Sequence, residues 1–241
     1  KSMLISIITP TFNSEKTLDK CIDSVIKQNF DNYEHLIIDN ISKDNSEKIV
    51  KNYNNNKIKF LSEKDNGIYD AMNKGIKISK GDYLLFLNSD DKIIDNNFFT
   101  NASIILKERY IDILYSNITY SKKNLLSRKY ITGHKNNIYK LGFHLPHPGT
   151  LIRRKYLYNL GLYDTTYKIS ADFDFFMKAK KLNNTRYYYY NNFTIMMSPG
   201  GASSGFKNIF YANIECYKSL KKNKIEKPVL FIFLKLVRKF F

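Results

Sequence analysis

The apolar positions of the first hundred residues fall into two alternating patterns. Residues 4–8, 36–38, 58–61 and 83–87 form short, largely apolar runs, the mark of strands buried on both faces. Between them, three groups recur at helical spacing: Leu18, Cys21, Ile22, Val25 and Ile26; Ile49, Val50 and Tyr53; and Ile68, Ala71, Met72, Gly75 and Ile76. Ser14 is the expected N-cap of the first helix, the second is expected over 42–53, and the third is entered through Asp65-Asn66-Gly67. Strands separated by helices predict a parallel sheet, and ligands of such sheets bind beyond the carboxyl ends of the strands. All four runs end in polar clusters there: Thr9-Pro10-Thr11-Phe12-Asn13, Asp39-Asn40, Ser62-Glu63-Lys64-Asp65 and Asn88-Ser89-Asp90-Asp91. That edge is the expected site.

The second half is less regular. A strand is expected at 111–115, a polar, basic, loop-rich stretch at 122–140, and a constrained loop at 144–149, which carries two histidines and two prolines. Residues 151–160 and 172–181 read as helices, and 186–190 with 193–197 as a late hairpin or edge strands. Neither an internal repeat nor a long linker interrupts the chain, so 3–217 is expected to fold as one α/β domain.

The chain has 241 residues, 43% of them hydrophobic, enough for one large core. Its net charge of +17, from 39 basic against 22 acidic residues, suits an anionic partner or a merely lysine-rich solvated surface. Cys21 and Cys216 lack metal-ligand spacing and read as reduced thiols of a cytosolic protein. Lys1-Ser2 ahead of Met3 reads as foreign to the fold, and no secretory signal is expected, because a strand follows at once.

Adjacent carboxylates at a buried strand end suit a hard divalent cation, which gives Asp90 and Asp91 a metal-binding reading beside that of a solvated turn. Asp172 and Asp174 open a helix two residues apart and cannot both face one way. Either one is a general base while the other caps the helix, or both only complement the helix dipole. His147 is a ligand, an acceptor contact or a packed loop residue, and 200–204 (Gly-Gly-Ala-Ser-Ser) is a lid or an ordinary loop.

Four segments together carry a resemblance to inverting glycosyltransferases of family 2, of the Rossmann-like GT-A fold, as found in bacterial surface-polysaccharide synthesis. They are Ser6-Ile7-Ile8-Thr9-Pro10-Thr11-Phe12-Asn13, Glu34-His35-Leu36-Ile37-Ile38-Asp39-Asn40, Asp65-Asn66-Gly67-Ile68-Tyr69-Asp70-Ala71-Met72-Asn73-Lys74-Gly75 and Phe86-Leu87-Asn88-Ser89-Asp90-Asp91. The resemblance implies a mostly parallel central sheet flanked by helices, with 3–100 as the nucleotide-sugar half and 101–217 as the acceptor half. It implies donor contacts from Thr9, Pro10, Thr11, Phe12, Asp39, Asn40, Asp65, Asn73, Lys74, Ser89 and Asp90, usually to uridine. A Mn2+ or Mg2+ ion would be held by Asp90 supported by Asp91. The Asp172 carboxylate would be the catalytic base, and His147, Pro148 and Gly149 would line the acceptor side. Asn88, Asn40 and Met72 depart from residues common in the family, Asp, an acid and Arg respectively, which leaves the donor sugar unassigned.

Residues 218–241 carry Lys218, Lys221, Lys222, Lys224, Lys227, Lys235, Arg238 and Lys239 against Glu226 alone. Pro228 suits a first helical turn, and the apolar stretch 229–234 that follows is too short to span a bilayer. Two readings stand: a basic amphipathic helix lying on the anionic inner face of the cytoplasmic membrane, or a helix packing its Phe and Leu residues onto the domain. The expected partners are a nucleotide-sugar, a saccharide or lipid-linked saccharide acceptor and that membrane surface, with no nucleic acid. A dinucleotide oxidoreductase or a sugar-phosphate nucleotidyltransferase would need a glycine-rich turn after the first strand, where this chain has Thr9-Pro10-Thr11. A non-catalytic polyanion-binding module would explain the charge but not the four polar strand ends.

Overall fold

The computed structural model describes residues 2–122, 125–133, 140–182, 184–199 and 205–237. The parallel block has the predicted elements, except that the run 58–62 is an edge strand only partly buried rather than covered on both faces. Strands β1 (Ile5–Thr11), β2 (Tyr33–Asp39), β3 (Ile58–Ser62) and β4 (Tyr83–Phe86) alternate with helices α1 (Leu18–Ile26), α2 (Ser46–Asn52) and α3 (Ile68–Ile78). They lie in the order β3-β2-β1-β4, all parallel. Side chains alternate between the two faces: Ile8, Leu84 and Phe86 join one core, while Ile5, Ile7, Tyr83 and Leu85 join the other.

Beyond β4 the sheet becomes mixed. After β5 (Lys92–Ile93) and α4 (Phe98–Glu108) come β6 (Ile113–Lys122), β7 (Leu125–Tyr130), β8 (Thr150–Arg153), α5 (Arg154–Leu160), α6 (Ala171–Lys181) and β9 (Tyr187–Met197). The order continues β4-β8-β6-β9-β5, with β7 on β6; β8 runs antiparallel to both neighbours, and β6 and β9 are parallel.

Several expectations change here. The stretch 151–160 is not one helix: its first residues are β8, whose Leu151 and Ile152 are fully buried between β4 and β6. The late hairpin is one continuous strand, β9, which lies inside the sheet between β6 and β5 and passes Asn191-Asn192 by register shifts at Ser116–Ile118. The loop-rich 122–140 contains β7, and the part over 134–139 lies outside the described residues. Ser14 does not cap α1, whose first position follows Thr17; its hydroxyl meets Ser89 at 2.8 Å instead.

Helices α7 (Phe206–Lys222) and α8 (Pro228–Val237) close the chain, so the boundary drawn at 217/218 falls inside α7. Phe231 of α8 is fully buried, its ring edge-on to Phe173 at 5.9 Å, while Val229, Leu230 and Phe233 point outward. The packing reading therefore holds for one face of the helix. Arg238 and Lys239 lie outside the described residues, as does 200–204. Both cysteines are buried and free.

Candidate active site

The four strand ends surround a cleft of about 810 Å³. Pro10 helps to open it. Ile8 O accepts from Leu87 N on the β4 side, so Pro10, two residues on, has its donor-less nitrogen on the flank that β4 has already left. Pro10, Thr11, Phe12, Asn40, Asp65, Ser89 and Asp90 reach the cleft, as do His147, Pro148 and Asp172 from the second half. Thr9, Asp39, Asn73, Lys74, Asp91 and Gly149 do not line it.

Those six have visible local tasks. Thr9 is buried and pairs its hydroxyl with His35 Nε2 at 2.8 Å. Asp39 accepts from Ser42 N, Ser42 Oγ and Ser62 Oγ at 2.9, 2.5 and 2.7 Å. It thereby fixes a loop in which the β-branched Ile41 sits at φ +50°, a strained conformation that carries Asn40 into the cleft. Asn73 holds both the N–H and the C=O of Tyr163, and Lys74 donates to Lys64 O at 2.6 Å, pinning the loop that ends in Asp65. Gly149 has φ +77°, and a Cβ there would lie 2.6 Å from Ser116 Oγ, so only glycine fits this turn.

Asp90 and Asp91 divide their tasks. Asp91 is 2% exposed and accepts from Ser198 N at 3.0 Å and Asn88 Nδ2 at 3.1 Å. Burial, then the Asp90 charge, push its carboxyl up to about 7. Asp90 faces the cleft with its carboxyl also raised by burial, while its carbonyl accepts from Ser198 Oγ. Only Asp90 of the pair reaches the cleft wall, with Asp91 satisfied behind it by Ser198 and Asn88. Among the described residues no cluster of three acidic, His or Cys side chains forms a closed cage. One or two carboxylates completed by substrate phosphate oxygens is the usual Mg2+-type arrangement.

The same division separates Asp172 from Asp174. Asp174 is fully buried and binds Ser219 and Asn223 of the α7 end, with Lys178 at 2.9 Å. Asp172 lies at the boundary between the cleft and a second cavity of about 400 Å³. Its Oδ1 accepts from Tyr69 OH at 2.9 Å, and the same hydroxyl lies 2.6 Å from Ile169 O. Glu215 of α7 accepts from the N–H groups of Lys168, Ile169 and Ser170 at 2.8–2.9 Å, anchoring the segment just before Asp172. Burial, then the Asp172 charge, push the Tyr69 phenol well up, so it remains a donor. His147 is a packed residue: it stacks on Phe86 at 4.9 Å, bonds Tyr163 OH at 2.7 Å, and is kept neutral by burial.

Sequence reasoning assigned no role to Tyr69, Tyr163, Ser198 or Glu215, and read Lys235 only as part of the basic membrane-facing tail, whereas it lines the second cavity. Only Tyr69 carried a signal, as part of the segment Asp65–Gly75. The others are brought to the site by long-range packing.

The profile of Glycosyl transferase family 2 matches residues 6–161, well over half of the chain. The chain belongs to that family. Against the UDP-Glc:alpha-D-GlcNAc-diphosphoundecaprenol beta-1,3-glucosyltransferase of Escherichia coli, this family 2 chain is 34% identical over 139 residues. That match covers 57% of this chain and 54% of the relative, so the chain spans about half the length of the E. coli protein. S. aureus TarS 1–349 in complex with UDP-GlcNAc superposes with a TM-score of 0.74 at 22% identity, over 99% of this chain and 73% of that one. Mannosyltransferase PcManGT of Pyrobaculum calidifontis, in complex with GDP-Man and Mn2+, gives 0.66 at 14%, over 96% and 68%. At these identities the structures show a shared fold, the GT-A type that the sequence resembled. Family 2 membership favours neither the oxidoreductase, the nucleotidyltransferase nor the polyanion-binding alternative.

Proposed function

We propose that this family 2 chain transfers a sugar, with inversion, from a nucleotide-sugar to a hydroxyl of a saccharide acceptor. A UDP-sugar is the favoured donor, and a lipid-linked saccharide of bacterial cell-surface polysaccharide or glycolipid synthesis is the favoured acceptor. The observation that carries the reading is the position of Asp172 where the two cavities meet, with Asp90 on the wall of the larger one.

In this reading the donor occupies the large cleft. Thr11, Phe12, Asn40 and Asp65 surround its nucleoside, and Ser89 and Asp90 lie toward its diphosphate. Asp39, Asn73 and Lys74 act by holding these residues in place. Asp90, supported by Asp91, would hold Mn2+ or Mg2+, which when bound neutralises charge on the departing diphosphate. Asp172 takes the proton of the acceptor hydroxyl as its oxygen forms the new bond to the anomeric carbon. The bond from that carbon to the diphosphate breaks on the opposite face, and the configuration inverts. General base catalysis of this type is worth about 10²–10⁴-fold.

The outward residues of α8 and the lysines around it support peripheral attachment to the inner face of the cytoplasmic membrane. Among the described residues no helix is long and apolar enough to cross one. A thermal-shift screen of UDP-, GDP- and dTDP-sugars with and without Mn2+ tests the donor assignment. A UDP-sugar is expected to raise Tm more than the others, and no shift with any nucleotide would defeat the reading.

A further inference from the structure

The second cavity holds a charge that the transfer chemistry leaves unused. Lys235, in the last turn of α8, lines it together with Asp172, and its Nζ lies 3.2 Å from the Cys216 thiol and 5.3 Å from the Phe173 ring centroid. Among the described residues it touches a sulfur and a ring and forms no ion pair with a carboxylate. The thiol does not neutralise it, because burial pushes the Cys216 proton affinity up despite the lysine beside it. Apart from Asp172 the named walls are apolar, aromatic or neutral, including Tyr130, Phe173 and Asn213. A half-buried ammonium facing such walls favours an anionic ligand.

Lys235 is also held there by design of the fold. Phe231, one turn before it on the same inward face, is fully buried. Gly142 has φ +76°, and a Cβ there would fall 2.6 Å from Leu234 Cβ, so glycine lets α8 settle against the cavity rim. The opposite face of the helix is the apolar one left in solvent.

We propose that this cavity binds a phosphoryl group carried by the acceptor saccharide, with Lys235 as its counter-charge, a substrate class that rests on the transferase reading. The acceptor hydroxyl then lies toward Asp172 and the phosphoryl end toward α8, whose outward face meets the lipid. Lys235 makes the enzyme choose a glycosyl phosphate over the neutral glycoside.

The test is equilibrium binding of α-glucose 1-phosphate, methyl α-glucoside and inorganic phosphate to the full chain, with UDP and Mn2+ saturating the large cleft. The wild type is expected to prefer the glycosyl phosphate to the glucoside by about tenfold or more, as one charge-assisted contact allows. Lys235→Met should erase that preference with Tm unchanged, and Lys235→Arg should keep it. No preference in the wild type, an undiminished preference in Lys235→Met, or equal affinity for inorganic phosphate would each overturn the proposal. UDP binding is read separately in the same samples, so failure of the donor assignment is distinguished from failure of the Lys235 site.

Discussion

The Tyr69 hydroxyl, on α3, donates to Asp172 Oδ1, on α6, at 2.9 Å across 103 residues of sequence. The contact ties α3 to the carboxylate proposed as base, and the single proton of that hydroxyl is shared with Ile169 O, 2.6 Å away. Tyr69→Phe keeps the buried ring and removes only the hydroxyl. Loss of a hydrogen bond to a charged group is worth about 1.5–3 kcal/mol, so kcat is expected to fall about 13- to 160-fold. The donor KM should hold within twofold. Steady-state kinetics decide, and a variant with normal kcat would show that the contact does not position the base. Asp172→Asn should cost more, about 10²–10⁴-fold.

Asp90 and Asp91 predict a contrast. A ligand present at about 100 times its Kd stabilises by about 2.7 kcal/mol, or about 5–11 °C in a domain of this size. Asp90→Ala should abolish the part of the UDP-sugar shift that depends on Mn2+. Asp91→Asn should lower the Tm of the free protein, because Asp91 holds Ser198 and Asn88 in place. The assay is differential scanning fluorimetry with Mn2+ or EDTA. An Asp90→Ala protein that keeps its full Mn2+ increment would remove the metal role from this residue.

These pairs also show what the sequence could express. The four parallel strands were legible because each is a compact apolar run, and the site edge because each run ends in polar residues. Which member of a polar pair faces the ligand was not legible. Asp39 against Asn40, Asp91 against Asp90 and Asp174 against Asp172 divide into one residue that braces the fold and one that lines the cleft. Beside local partners such as Ser42 and Asn88, that choice draws on distant ones, such as Ser62 and Ser198, 23 and 107 positions away. The direction of β8 was hidden for a related reason: Leu151 and Ile152 run straight into α5, and an apolar pair fits either period. Helix α4 could have been read, since Phe98, Phe99, Ala102 and Leu106 recur at helical spacing and are buried.

Lys180 predicts a dependence of stability on pH. Its Nζ lies 5.1 Å from the Phe231 ring centroid, and burial pushes its pKa down from 10.5 to about 8. Below pH 8 the lysine is charged in both folded and unfolded chains, and the full cost of burying that charge is present. Between pH 8 and 10.5 the folded chain sheds the proton first, so stability from this group rises with pH; above 10.5 the gain is complete. Lys180→Met removes the titration. Urea midpoints at pH 7.5 and 9.5 should therefore show the advantage of the variant over the wild type shrinking at the higher pH. An advantage of the same size at both would refute the assignment.

The two faces of α8 allow membrane attachment to be separated from folding. Val229 is 70% exposed and Phe233 60%, one turn apart, while Phe231 is fully buried. Deleting the helix would remove Phe231 from the core as well, and Phe→Ala in a core costs about 3–5 kcal/mol, so a truncated chain would test stability rather than attachment. Val229→Ser with Phe233→Ser changes only the outward face. Burying such side chains fully is worth about 1.5–3 kcal/mol each, so even partial insertion makes a loss of tenfold or more in vesicle affinity the expected result. Lys221, Lys224 and Lys227 are exposed nearby and should add about 1 kcal/mol each on an anionic surface. Binding should therefore be stronger to phosphatidylserine-rich than to phosphatidylcholine vesicles, and salt should weaken it. Co-sedimentation of the wild type and the double variant, with Tm measured in parallel, supplies the comparison. Equal sedimentation of the two proteins would mean that the outward face of α8 takes no part in vesicle binding.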